Sequence, residues 1–364
     1  MHSQQFRPLV SQPGPFVSVH FDDSHDTADA QRQLEARWCD LRKELDGVDD
    51  TMMKTLEGAV LHRKPTVGRR GRGIIATSSG VMVDEVLSRP PVAAVVRVSE
   101  YPYVMPFVEF GISRSPYVFA CVDHTGADLV VSRGTRVWSE KVDGPGHPVH
   151  RAASARADGY GDPEPRTDEA IRKNTRAVVD RLTVLVDRVD AKAVFVAGAV
   201  RSRTEVVAAL PPRIASCVTQ LHAAPRGSMT HQVDIDDAVA AEFGRRRAYE
   251  DAHSVEQFEA ELARRSGLAA EGMTAVCAAL RAGDVDTLIV GDLRDTTVVT
   301  GAERRVVAPD ADGLSDLGEP VNRVVRADEA LPFAAIGCGA ALVRAGSNCH
   351  PADGIGAILR YRAS

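Results

Sequence analysis

Two stretches carry side chains suited to gripping phosphate. The first, "RADGYGDPEPRTDEAIRKNTR", runs from Arg156 to Arg176. Arg156, Arg166, Arg172 and Lys173 supply the cations. Tyr160, set between Gly159 and Gly161, offers a ring on which an exposed base can stack, as aromatics do in RNA recognition. The other reading of this stretch is a flexible connection whose tyrosine does nothing specific. The second stretch, "HRKPTVGRRGRG" from His62 to Gly73, holds Arg63, Lys64, Arg69, Arg70 and Arg72 with no acid among them. Cations on a Gly/Pro-rich loop can follow a nucleic-acid backbone, and each phosphate neutralised adds roughly one unit to the salt slope of binding. Its alternative is a solvated loop preceding a strand.

Other chemistries find little support. Phosphate cradles use free N–H groups at a helix N-terminus. Asp168 and Glu169 are expected in the first turn of the helix that follows Tyr160, where they satisfy the dipole and repel an anion. The pattern GxxxxGK[ST] is absent, so nucleotide binding at this helix is disfavoured. "GCGAAL" and "GIGAIL" lie inside apolar runs, where glycine permits close packing, and neither is a GxGxxG opening a helix. Asp123 and Asp128 flank a His-Thr-Gly turn and read as turn chemistry rather than as metal carboxylates of a nuclease. His147 and His150 in "GHPVH" read as a polar loop. Six cysteines are scattered with no CxxC pair, which suits small core residues or free thiols better than zinc. There is no GxSxG or HExxH. No catalytic residue, metal or cofactor is expected.

The elements that position these loops follow from length and pattern. A chain of 364 residues suggests two or three domains. With 44% apolar residues it folds. Its formal charge of −6 argues against a uniformly basic coat while leaving room for local basic patches. No apolar run reaches the length of a membrane span, and "MHSQQFRPLVSQPG" lacks a signal-peptide core, so a cytoplasmic protein without a membrane partner is expected.

The reading is α/β with boundaries 1–113, 114–225 and 226–364. The first segment combines the strand "GPFVSVHF", helices at "DTADAQRQLEARWCDLRKELDG" and "TMMKTLEGAVLHR", a hairpin at "GRGIIATSSGVMVDEVL" and the strand "PVAAVVRVS". The second opens with the hairpin "YVFACVDHTGADLVVSRGT". Ile171, Val178, Leu182, Leu185 and Val189 then fall on one helical face, and "AKAVFVAGA" follows as a buried strand. The third begins after the turn-rich "LHAAPRGSMTHQVD" with a long helix from about Ile235 to Arg264. A helix ends at Gly283 and enters a strand, and the last stretch supplies two more strands.

Several of these segments resemble, in order, the archaeal and eukaryotic class 1 peptide-chain release factors, a family that includes the rescue factor pelota. "DGIGAILRYR" looks like its closing strand, and "GMTAVCAALRAGDVDTLIVGDLRD" like the opening of its C-terminal domain. "YVFACVDHTGADLVVSRGT" is similar to its middle-domain hairpin and "GPFVSVHF" to its first strand. The resemblance implies an N-terminal domain reaching the decoding centre, a ribonuclease-H-like middle domain and an L7Ae-like C-terminal domain. It also implies occupancy of the ribosomal A site in the manner of a tRNA.

In that family the loop before the middle-domain helix carries Gly-Gly-Gln, which promotes hydrolysis of peptidyl-tRNA. Here Gly159, Tyr160 and Gly161 stand at that place, and no glutamine side chain is available to help orient water. The stop-codon motif Asn-Ile-Lys-Ser also lacks a counterpart, since "LDGVDDTM", Leu45 to Met52, is acidic. The resemblance extends to a bacterial branch that includes the ribosome hibernation factor Balon, above all to its actinobacterial members. It implies a non-enzymatic factor holding the A site of idle ribosomes. Arg63, Lys64, Arg69, Arg70 and Arg72 would then meet 16S rRNA, and the Arg156–Lys173 loop would approach 23S rRNA at the peptidyl-transferase centre. Rescue of stalled ribosomes with a GTPase such as elongation factor Tu, and divergent peptidyl-tRNA hydrolysis, are the alternatives.

Overall fold

The computed structural model describes residues 3–62, 68–112, 115–134, 136–145, 163–221 and 232–362, with side chains left out at 163–167 and 232–234. The fold is mixed α/β, with four separate sheets among the described residues. The chain divides into two compact units, one of Met1–Ile112 with Phe243–Ser364 and one of Ser113–Glu242.

The N-terminal part of the first unit comprises α1 (Arg7–Val10), β1 (Phe16–Asp22), α2 (Ala30–Glu44), α3 (Asp50–Leu61), β2 (Gly71–Thr77), β3 (Gly80–Leu87), β4 (Val95–Ser99) and α4 (Met105–Phe110). The strands form one antiparallel sheet in the order β3-β2-β1-β4. Successive side chains of a strand face opposite ways. Val17, Val19 and Phe21 of β1 therefore pack with Leu34, Trp38 and Leu41 of α2 and Leu56 of α3, while Phe16 joins the core on the other side. Both faces of β1 are covered, which is why it reads as a nearly continuous apolar run.

The second unit holds β5 (Tyr117–Val122), β6 (Gly126–Arg133), β7 (Arg136–Asp143), α5 (Pro163–Val189), β8 (Ala193–Gly198), α6 (Val200–Ala209), α7 (Pro212–Ala215) and β9 (Val218–Gln220). Sheet order is β7-β6-β5-β8-β9, antiparallel from β7 to β5 and parallel from β5 to β9. Val178, Leu182, Leu185 and Val189 of α5 are buried against Val118, Ala120, Leu129 and Val131. The spacing that predicts this helical face is thus matched in the core. Strand β7 has no counterpart in the sequence reading. As an edge strand it is largely exposed, and "RVWSEKVD" shows little apolar signal.

Helix α8 (Gln232–Arg264) leads into β10 (Ala269–Glu271), α9 (Met273–Ala282), β11 (Val285–Val290), β12 (Thr297–Thr300), β13 (Val307–Ala308), α10 (Ala311–Ser315), β14 (Arg323–Arg326), α11 (Ala327–Cys338), β15 (Ala341–Arg344) and β16 (Ile355–Leu359). The main sheet runs β10-β16-β11-β15, and β13-β12-β14 form a small second one. Gly283 ends α9 in the left-handed region at φ 77°, as its place before β11 predicts. Helix α11 is an addition to the sequence reading. Ala330 to Ile336 are all buried, so the helix shows no polar face from which a period can be read. Phe6, Leu9, Tyr101 and Phe107 share one core with Val276, Leu288, Phe333 and Ile355. The first and last segments of the chain are therefore one packed body.

Candidate nucleic-acid interface

The N-terminal basic loop is held at its base by the residues that follow β1. Gly68 pairs with His25 at φ 104°, a conformation favouring glycine, and Ser24 Oγ donates to the Arg70 carbonyl at 3.3 Å. Arg63 and Lys64 lie outside the described residues. Arg69 is exposed, and Arg70 is half-buried with Nη1 donating to the Ser88 carbonyl at 3.2 Å.

Arg72 corrects the sequence reading, which places it on an RNA-facing loop. It belongs to β2, where strand alternation turns it inward, and only 1% of it is exposed. Its Nε and Nη2 each donate to an Asp84 carboxylate oxygen at 2.8 Å. The same guanidinium donates to the carbonyls of Ala59 at 2.6 Å and Val60 at 3.3 Å, in the last turn of α3. A cation there satisfies carbonyls that have no partner within the helix and opposes the negative end of its dipole. Arg72 fastens α3 to the sheet and offers nothing to a phosphate.

The acidic turn Leu45 to Met52 has a local task of its own. Asp49 caps α3, accepting from the backbone N–H groups of Thr51 and Met52 at 3.0 Å each. Gly47 makes the turn between α2 and α3 at φ 85°.

In the second unit, Arg156, Gly159, Tyr160 and Gly161 lie outside the described residues, as does the side chain of Arg166. Helix α5 starts at Pro163, earlier than a first turn holding Asp168 and Glu169 implies. Asp168 and Glu169 therefore stand in the second turn, not the first. Both are engaged in surface pairs. Asp168 lies 3.4 Å from Arg201, and Glu169 lies 3.3 Å from Arg172 and 3.9 Å from Lys173. Such exposed pairs are screened by solvent and contribute little to stability. They leave Arg172 and Lys173 at the surface and free to exchange a carboxylate for a phosphate.

Sequence reasoning missed Asn174, the buried clasp of this region. Its Nδ2 donates to the His124 carbonyl at 2.9 Å, tying α5 to the β5–β6 turn. A Cβ at Gly144 would lie 2.0 Å from Asn174 Oδ1, so glycine is required where the chain leaves β7. A buried polar residue on an otherwise apolar face is the signal that marks Asn174.

Asp123 accepts from Thr125 N and Oγ1 at 2.7 Å each and from Gly126 N at 2.9 Å, the turn chemistry its sequence suggests. Among the described residues no group of three or more His, Cys, Asp or Glu is placed to hold a metal. Burial pushes the Cys277 thiol up to about 12, so it behaves as a small core residue. No helix among the described residues is long and apolar enough to cross a membrane.

The model of bacterial archaeo-eukaryotic release factor family 2 matches residues 116–264, which span most of the second unit and α8. The chain is 55% identical over 366 residues to the uncharacterized protein Rv2629 of Mycobacterium tuberculosis strain H37Rv, with 100% of this chain and 98% of that protein covered. Among solved structures, Archaeoglobus fulgidus Pelota is similar at 13% identity and a TM-score of 0.40, over 100% of this chain and 92% of that one. The C-terminal domain of a Methanosarcina mazei peptide chain release factor is 24% identical with a TM-score of 0.26, over 37% of this chain and 99% of that one. The chain belongs to the bacterial archaeo-eukaryotic release factor family 2.

Proposed function

We propose that this protein is a ribosome-associated translation factor that occupies the A site of idle ribosomes without releasing peptide. The observation that carries this reading is membership of a release-factor family by a chain whose tip segment reads Asp-Gly-Tyr-Gly in place of Gly-Gly-Gln. Ester hydrolysis needs groups positioned beside the scissile bond, and loss of the glutamine removes one of them. Occupancy is then the remaining task. The exposed cations Arg69, Arg172 and Lys173 support contact with ribosomal RNA, and they stand on separate units of the chain. Delivery by a GTPase such as elongation factor Tu belongs to the same proposal.

The test mixes purified protein with vacant ribosomes and with ribosomes carrying labelled peptidyl-tRNA. Co-sedimentation that a bound A-site tRNA abolishes, with no peptide released, is the expected result. Release of peptide that disappears in Tyr160→Ala would overturn the non-enzymatic part. Failure to co-sediment with either kind of particle would overturn the whole reading.

A further inference from the structure

The β6–β7 hairpin ends in a rung where Arg133 stands directly opposite Arg136. Like charges facing each other across two strands oppose pairing, so this rung weakens the ladder it closes. The turn between them uses Gly134 in the left-handed region at φ 62°, which holds the two arginines together at the tip.

Alternation along the strands decides where these side chains point. Leu129 and Val131 of β6 face the core beneath α5, and Arg133 follows them on the same face. Arg136 and Trp138 share that face on β7. Arg188, in the last turn of α5, meets them there, with its guanidinium carbon 5.9 Å from the centre of the Trp138 ring. Three exposed arginines thus share this face, Arg133 and Arg136 in one rung and Arg188 against the indole of the next.

The acids near this end are already engaged. Glu140 accepts from Arg181 Nε at 2.8 Å and from the Trp138 indole at 3.1 Å. Asp187 takes two bonds from Arg213, at 2.6 and 2.9 Å, and Asp190 takes Lys192 at 2.7 Å. Among the described residues, Arg133, Arg136 and Arg188 form no ion pair. Arg188 has the Trp138 ring and the nearby Glu140 charge to hold it, but folding gives no reason to set Arg133 opposite Arg136.

We propose that this end of the second unit is a phosphate-binding surface for structured RNA, separate from the loops at 62–73 and 156–176. Residues opposite each other in a rung have Cα atoms about 5 Å apart. So dense a pair of guanidinium groups suits a polyanion with closely spaced charges, whose condensed counterions are released on binding. Forked N–H donors also match phosphate oxygens two at a time. The inference rests on the proposed ribosomal reading only for which RNA is bound.

The experiment measures anisotropy of a fluorescein-labelled RNA hairpin against the full chain across a salt series. It compares wild type with Arg133→Gln/Arg136→Gln, Arg133→Glu/Arg136→Glu and Arg188→Gln. The double glutamate variant should bind roughly tenfold or more weakly at about 0.1 M salt. Its plot of log affinity against log salt should flatten by about two units, and that of Arg188→Gln by about one. The double glutamine variant should melt no lower than wild type, because it removes a repulsive rung, and that separates lost binding from lost folding. Unchanged affinity and slope in all three variants would overturn the proposal. So would unchanged RNA binding with lost capture of a polyglutamate peptide, since the surface would then serve acidic protein. Wild type that binds the hairpin but no ribosome sinks only the ribosomal reading. Wild type and double glutamate variant binding ribosomes alike, at every salt concentration, sinks only this surface.

Discussion

Arg97 on the outer strand of the N-terminal sheet and Glu329 in the first turn of α11 meet at 3.0 Å, although 232 positions separate them in the chain. Asp328 accepts from the same Arg97 nitrogen with both carboxylate oxygens at 3.0 Å, and the guanidinium lies 3.6 Å from the centre of the Tyr103 ring. Glu329 is 1% exposed. The pair joins the two ends of the chain inside one body.

Breaking that pair on one side leaves a buried carboxylate without its counter-charge. Arg97→Met should lower unfolding free energy by about 3–5 kcal/mol in a urea titration. Arg97→Met combined with Glu329→Met should recover most of the loss, since no charge then remains unmatched there. A single variant as stable as wild type would show that the pair does not hold the body together.

His20 gives the fold a pH dependence. It is fully buried in β1 between Phe107 and Tyr103. Its Nε2 meets the Tyr103 carbonyl at 3.1 Å, and its Nδ1 has no hydrogen-bond partner among the described residues. Burial, aided by the nearby Arg97 charge, lowers its pKa to about 4 from an ordinary value of 6.5. The unfolded chain binds the proton more readily than the folded one, so stability is full above pH about 6.5 and falls as pH drops toward 4. The total loss is about 3 kcal/mol. In His20→Phe, melting temperature should change less over that window than in wild type.

Arg69 and Arg72 should separate binding from folding. Arg72→Met removes a bidentate partner of Asp84 and the donor to two helix carbonyls, and should cost about 3 kcal/mol of stability. Arg69→Glu should leave the melting temperature within error while weakening ribosome co-sedimentation most at low salt, the gap to wild type narrowing as salt rises because one phosphate contact fewer flattens the salt slope. Equal stability loss in both variants would contradict the division.

Gly356 lies against a ring. A Cβ at that position would come within 2.5 Å of the Phe258 side chain, where β16 passes beneath α8. Gly356→Ala should destabilise by about 1–3 kcal/mol through overpacking. Adding Phe258→Leu should restore part of it, as followed by thermal unfolding.

Much of the architecture is legible in the pattern of apolar residues. β1, the β2–β3 and β5–β6 hairpins, α5 and α9 follow from period and turn residues that act within a few positions of each other. β7 escapes because an edge strand carries polar side chains, and α11 escapes because a helix buried on every side has no period. The candidate interface was legible only as a supply of cations. "GRRGRG" shows six residues of loop chemistry, yet strand register decides that Arg72 faces the core while Arg69 faces water.

By itself the sequence settled composition and order. It placed the basic stretches at 62–73 and 156–176 with Gly-Tyr-Gly inside the second, and put turn-forming residues at Asp49, Asp123 and Gly283. These depend on residue type and near neighbours. Tertiary structure alone decided which charges meet: Arg97 with Glu329, Arg72 with Asp84, and Arg133 opposite Arg136 with Arg188 on the neighbouring Trp138 ring. Partners distant in the chain are brought together by burial of a shared apolar core, a free energy to which the charged residues themselves contribute little.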